Sequence, residues 1–271
     1  MSIEKDVVFN AVNGRALKLD LYRPEAGAAA TGTAVLLVHG GGWALGQRGM
    51  MEPLASALAA RGFLAIDVEY RLLGEAPWPA QLDDVLAAVR WTADNAEQLG
   101  LRADRIVLAG SSAGGHLVMM AAATLGKSQV AAVIANFAPG ELVVEPDPAK
   151  GQVAAAKLLG DGATPAAARA ASPAHHITAD FPPVFLLHGN ADWLLDPIAS
   201  LRVYERLVEL GVPAELHIVA AAHHEFVVEP GMAAPMAAEM ALFLDRMLID
   251  PQRWKAESLA SNFFAKGRPP A

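Results

Sequence analysis

The sequence contains no cysteine. Disulfides, thiolate nucleophiles and cysteine-ligated zinc are therefore excluded. Charge is also scarce. Asp, Glu, Lys and Arg make up 18% of the 271 residues, and the net charge is -8. No basic patch is visible, which argues against nucleic acid as a partner. The opening MSIEKDVVFN lacks a basic stretch followed by an apolar run. No signal peptide is expected, and the location is read as cytoplasmic. One stretch does lack charge: Ile106–Gly126, 21 residues, is long enough to suggest a membrane span. Gly110, Ser111, Ser112, Gly114, Gly115 and His116 interrupt it, so a strand, a sharp turn and a buried helix is the better reading.

What is abundant is apolar: 54% of the residues are hydrophobic, enough for a large core. The chain opens as a β-hairpin, with Asn13-Gly14 as its turn and Leu17, Leu19 and Leu21 alternating with Lys18, Asp20 and Tyr22. A loop follows over Gly27–Gly32. Apolar strands and helices then alternate: TAVLLVHG, MEPLASALAARG, FLAIDVEY, PAQLDDVLAAVRWTADNAEQLG, RIVLAG, Ala113–Leu125, VAAVIANFA, PVFLLHG, Pro197–Leu210, AELHIV and Met232–Leu248. The fourth of these is expected as one helix, Pro79 in its first turn and Gly100 at its stop. Leu201, Tyr204, Leu207 and Val208 are expected to point inward from the Pro197–Leu210 helix. Asp83 and Asp84 are read as acidic residues favoured early in a helix. The pattern predicts one α/β domain over residues 1–271, a mostly parallel sheet covered on both faces. Two segments break the alternation. Gly140–Pro182, with a short helix near Gln152–Leu159, reads as a small lid insertion, and residues 251–271 form a tail.

Gly110-Ser111-Ser112-Ala113-Gly114 matches G-x-S-x-G with Ser112 at its centre, between a predicted strand and a predicted helix. Such a turn lifts a serine off the sheet and aims the Ala113 amide and the helix N-terminus at developing negative charge. Ser111 is out of register with the glycines. A serine nucleophile needs a base and an orienting acid. In sheets of this kind they follow later strands, acid before histidine. Asp192 lies nearer its strand end than Asp196, which precedes Pro197 as a helix cap. His223 and His224 occupy the loop after the next strand, while His217 lies inside the strand pattern. His39-Gly40-Gly41-Gly42-Trp43 ends an earlier strand, and its glycines let amides approach a substrate. It has neither the P-loop nor the G-x-G-x-x-G spacing of a phosphate loop. His39 is read as a support for this loop. His175-His176 has no third ligand at convincing spacing, so no metal is expected. Trp43, Phe137, Trp193 and Leu194 fall at strand ends, as candidates for an acyl or alcohol pocket.

HGGGW, YRL at Tyr70–Leu72, PAQLDDVLAAVRW, DRIVLAGSSAGGHL, HGNADWLLD and HHEF together resemble the hormone-sensitive-lipase-like esterases. They are also similar to the compact carboxylesterases related to feruloyl esterases, within the α/β-hydrolase fold. The resemblance spans Thr33 to about Leu248. It implies a serine carboxylesterase with Ser112 as nucleophile, Asp192 as acid and, because of the x-Phe that follows, His224 as base. Gly41, Gly42 and Ala113 would supply the oxyanion hole. No cofactor would be needed, the partner would be a small ester, and a homo-oligomer is compatible with the reading. Two positions depart from the family: Ser111 stands where an aspartate is usual, and Glu225 where glycine is common. His39 comes too early for the N-terminal cap of longer members, which implies a fairly open site and short acyl chains. Kynurenine formamidases are similar in architecture but usually carry a bulkier residue at the third glycine, so Gly42 favours esters over formamides. Binding proteins on retired hydrolase scaffolds lose the base, whereas His224 is present.

Overall fold

The computed structural model describes residues 2–24 and 30–261. Asn13 and Gly14 both take positive φ, 51° and 82°, as a primed two-residue turn requires. They join β1 (Ser2–Val12) to β2 (Arg15–Arg23) in antiparallel register, Val12 opposite Arg15. Residues 27–29 of the loop expected over Gly27–Gly32 lie outside the described residues. From β3 (Ala34–Val38) the alternation takes over: α1 (Glu52–Ala59), β4 (Leu64–Val68), α2 (Ala80–Asp94), α3 (Ala96–Leu99), β5 (Ile106–Ser111) and α4 (Ala113–Leu125). Then come β6 (Ala132–Asn136), the short β7 (Leu142–Val143) and β8 (Val153–Ala154), α5 (Ala156–Leu159) and α6 (Pro165–Ala170). The chain closes with β9 (Val184–Gly189), α7 (Ile198–Glu209), β10 (Ala214–Val219), α8 (Ala233–Leu244) and α9 (Pro251–Ser261).

Eight strands form one sheet in the order β1-β2-β4-β3-β5-β6-β9-β10. Only the pairs β1–β2 and β2–β4 are antiparallel; every later pairing is parallel. The central strands β3 to β6 are buried at every position, so successive residues feed opposite faces. Leu36, Val38 and Leu108 join the α2 and α4 side chains Val85, Val89 and Leu117. Val35, Leu37 and Val107 join Leu54 and Leu58 of α1 and Met240 and Phe243 of α8. Two apolar layers on one sheet explain why these strands read as continuous hydrophobic runs.

Several expectations are corrected. The helix predicted over Pro79–Gly100 breaks at Asn95, whose amide side chain and backbone N–H both donate to the Trp91 carbonyl. Asparagine competes with the helical ladder in this way. On α7 the inward stripe is Ala199, Ser200, Val203 and Leu207, while Leu201 and Val208 are exposed. Ser200 faces inward because its hydroxyl bonds a buried histidine, His188. The last predicted helix stops at Leu244; a π-turn over Asp245–Ile249 leads into α9. The segment between β6 and β9 is a layer of short elements: β7 pairs with β8, and the short helix near Gln152–Leu159 is α5.

Asp83 and Asp84 also part company. Asp83 is exposed, as a helix-start acid can be, but Asp84 is buried and forks onto the Arg71 guanidinium at 2.8 Å through both oxygens. The Arg71 backbone N–H donates to it as well (2.9 Å). This pair ties α2 to the segment after β4. Removing one partner of a buried pair strands the other. Asp84→Ala is therefore expected to lower urea-unfolding stability by about 3 kcal/mol. Asp83→Ala should stay within about 0.5 kcal/mol of the parent.

Candidate active site

The β5–α4 turn is built by exclusion. A Cβ on Gly110 would collide with the Gly114 backbone, and one on Gly114 with the Val38 and His39 carbonyls. On Gly115 it would lie 2.6 Å from the Ala138 Cβ. The first turn of α4 can thus press against the end of β3, and Ser112 is left at the apex with φ 53° and ψ -118°. For a residue with a side chain, such a conformation costs about 1–3 kcal/mol and is kept only when the surroundings enforce it.

The strand ends then deliver the partners. The Ser112 hydroxyl donates to His224 Nε2 (2.9 Å), and His224 Nδ1–H donates to Asp192 Oδ2 (2.6 Å). Asp192 Oδ1 accepts the backbone N–H groups of Leu194 (2.9 Å) and Leu195 (3.0 Å). Burial opposes ionisation of Asp192, but hydrogen bonds from His188, His224 and the Leu195 amide outweigh it and hold the carboxyl far below its usual range. His223, the rival base, is exposed and donates to the Ala191 carbonyl (3.1 Å). Asp196, the rival acid, caps α7 by accepting the Ile198 N–H (2.9 Å).

One member of this cluster was not read from the sequence. His188 is fully buried at the end of β9. Its Nε2–H is shared between the Leu195 carbonyl (2.9 Å) and Asp192 Oδ2 (3.2 Å). That bond fixes the tautomer, so Nδ1 accepts the Ser200 hydroxyl (2.8 Å). Its signal was its place, four residues before an acid at a strand end.

The glycine loop reaches the serine from the other side. A Cβ on Gly40 would lie 3.2 Å from the Ser112 Cβ. Gly41 and Gly42 take φ 113° and 59°. Among the described residues, no acceptor is hydrogen-bonded to the amides of Gly41, Gly42 or Ala113. His39 supports the loop as expected: Nδ1–H donates to the Gly40 carbonyl (2.7 Å) and the ring stacks on Tyr70 (4.4 Å). The Tyr70 hydroxyl donates to the His39 carbonyl (3.1 Å).

The four candidate pocket residues divide. Trp43 and Phe137 are buried. Trp43 Nε1–H donates to His116 Nδ1 (3.3 Å), and His116 Nε2–H donates to the Ala171 carbonyl (2.7 Å). Trp43 thus braces the glycine loop against α4 and the α6 end. Phe137 packs 4.8 Å from the His224 ring. Trp193 and Leu194 are exposed, and with Asp192 they line a cavity of about 430 Å³ closed on its other side by Pro148, Val153 and Lys157. Ser111 is fully buried beside Asn136 (3.5 Å). Glu225, at φ 63°, lays its carboxyl against Gly40. Burial raises its pKa, His224 lowers it and Asp192 raises it. No cluster of three potential metal ligands and no helix long and apolar enough to cross a membrane occurs among the described residues.

Known proteins are similar to this chain in sequence and fold. Esterase LipI of Mycobacterium tuberculosis is 30% identical over 224 residues, covering 76% of this chain and 68% of LipI. Esterase LipC of the same organism is 27% identical over 252 residues, 84% of this chain and 62% of LipC. The chain spans 48% of a third, LipM, so several of these relatives are considerably longer. Among solved structures, Est2, a thermophilic esterase from Thermogutta terrifontis, matches with a TM-score of 0.74 at 27% identity. That match covers 93% of this chain and 94% of Est2. The BD-FAE family model matches residues 19–207, most of the sheet and the serine elbow, and the chain belongs to that compact α/β-hydrolase family.

Proposed function

We propose that this chain hydrolyses carboxylic esters through Ser112, His224 and Asp192. The observation that carries the reading is the unbroken relay from Ser112 Oγ through both nitrogens of His224 to a buried, ionised Asp192. Ser112 attacks the ester carbonyl as His224 Nε2 takes its proton. The amides of Gly41, Gly42 and Ala113 receive the oxyanion, each such donor being worth about 10²–10³ in rate. His224 returns the proton to the leaving alcohol, and water then releases the acyl group by the same steps. Asp192 holds the tautomer that makes Nε2 the acceptor and stabilises the imidazolium.

A cavity of about 430 Å³ rimmed by exposed Trp193 and Leu194 lies beside Asp192, and neither Ser112 nor His224 lines it. The relatives are named as esterases, and an ethyl acetate hydrolase of Pseudomonas putida is 37% identical over 129 residues. We assign the substrates to short-chain acyl esters on these grounds. Gly42 leaves the loop without a side chain, which favours esters over formamides.

The parent is expected to hydrolyse nitrophenyl acetate and butyrate, with rates falling on longer acyl chains. Ser112→Ala should lose on the order of 10⁴-fold or more in kcat, and Asp192→Asn about 10⁴-fold through the wrong tautomer. Equal rates in parent and Ser112→Ala would reject the assignment.

A further inference from the structure

The overall charge is negative, and the sequence shows no run of basic residues. The fold nevertheless gathers cations from separate segments. Lys150, Arg169, Arg202 and Arg206 line one cavity of about 380 Å³, together with His175 and a single carboxylate, Glu141. The cavity is built tightly. A Cβ on Gly140 would collide with the Val203 side chain, and one on Gly151, at φ 63°, with the Ala199 backbone. Both glycines let the Glu141 and Lys150 segments close on α7, which contributes Arg202 and Arg206 one turn apart on the same face.

Elsewhere Arg15, Arg23, Arg48, Arg71, Arg102, Arg246 and Arg253 each pair with at least one carboxylate. In this cavity Arg206 pairs with Glu209 (3.3 Å) and Lys150 with Asp147 (3.2 Å), both exposed pairs. Arg169 and Arg202 have no carboxylate within ion-pair reach among the described residues. Glu141 lies 3.6 Å from His175 and accepts from Gln152 (2.8 Å). Burial lowers the pKa of His175, Arg169 lowers it further, Glu141 raises it, and His176 and Arg206 lower it. Like charges one turn apart destabilise a helix unless something offsets them.

We propose that this cavity binds the phosphate group of a small molecule. Planar guanidinium forks match phosphate oxygens in pairs, and the lining holds two guanidinium groups with no carboxylate partner among the described residues, Arg169 and Arg202, beside Lys150 and Arg206, whose partners Asp147 and Glu209 lie outside the lining. The volume leaves room beyond a bare ion, since one water occupies about 30 Å³. The site stands apart from the serine. It shares only Gly151 with the cavity beside Asp192, so the inference does not rest on the esterase reading.

The test is calorimetric titration of the full chain with inorganic phosphate, at fixed ionic strength held by chloride. Saturable binding at one phosphate per chain in the millimolar range or tighter is expected, with succinate at least about 10-fold weaker. Arg169→Gln/Arg202→Gln should weaken phosphate at least about 10-fold while leaving nitrophenyl butyrate hydrolysis unchanged. Glu141→Gln removes the opposing charge and should tighten phosphate, a gain that misfolding cannot produce. Absence of saturable heat, equal affinity for succinate, or an unchanged affinity in both variants would overturn the proposal.

Discussion

Four donors converge on the Asp192 carboxylate: the amides of Leu194 and Leu195, and the imidazoles of His188 and His224. A buried anion is tolerated only when its oxygens are satisfied in this way. The arrangement does three things together. It keeps the carboxyl ionised, it dictates which nitrogen of His224 carries the proton, and it folds the loop after β9 around the acid. Trp193 and Leu194 stand at the rim because the backbone on either side of them is fastened inward. His188 extends the hold to Leu195 and, through Ser200, to α7. Asp192 is therefore a joint between strand, loop and helix as well as the hydrogen-bond partner of His224.

The second half of the site is arranged by steric exclusion. Glycine at 110, 114 and 115 allows α4 to meet the ends of β3 and β6 at backbone distance. That contact places the apex serine next to the glycine loop, in which the amides of Gly41 and Gly42 have no hydrogen-bonded acceptor among the described residues. The loop is held from below by His39 and Tyr70, and from the side by the line from Trp43 through His116 to Ala171. In the proposed reaction, amides preorganised in this way would meet a developing oxyanion with no reorganisation.

What was legible in the sequence follows from these causes. The elbow, the glycine loop, Ser112, Asp192 and His224 announce themselves because each needs particular residue types at short range beside a strand end. The parallel sheet shows in strands that are apolar at every position. The parts that were hidden depend on distant partners. Asp84 reads as a helix-start acid until Arg71 arrives from the segment after β4. Ser200 turns inward, and Leu201 outward, because His188 offers the serine a buried acceptor. Trp43 and Phe137 carry the signature of pocket aromatics, yet the space they fill lies behind the glycine loop and beside the His224 ring. The basic cavity draws on four segments, none of them basic by itself.

The central claim is that Ser112 is the nucleophile, activated by His224 and held ready at the turn. A fluorophosphonate that reacts only with an activated serine tests it most directly, with the adduct located by peptide mass spectrometry. The account predicts one adduct per chain, on Ser112, lost when His224 is replaced by alanine. No adduct on the parent, or an adduct on Ser111 or any other serine, would contradict it.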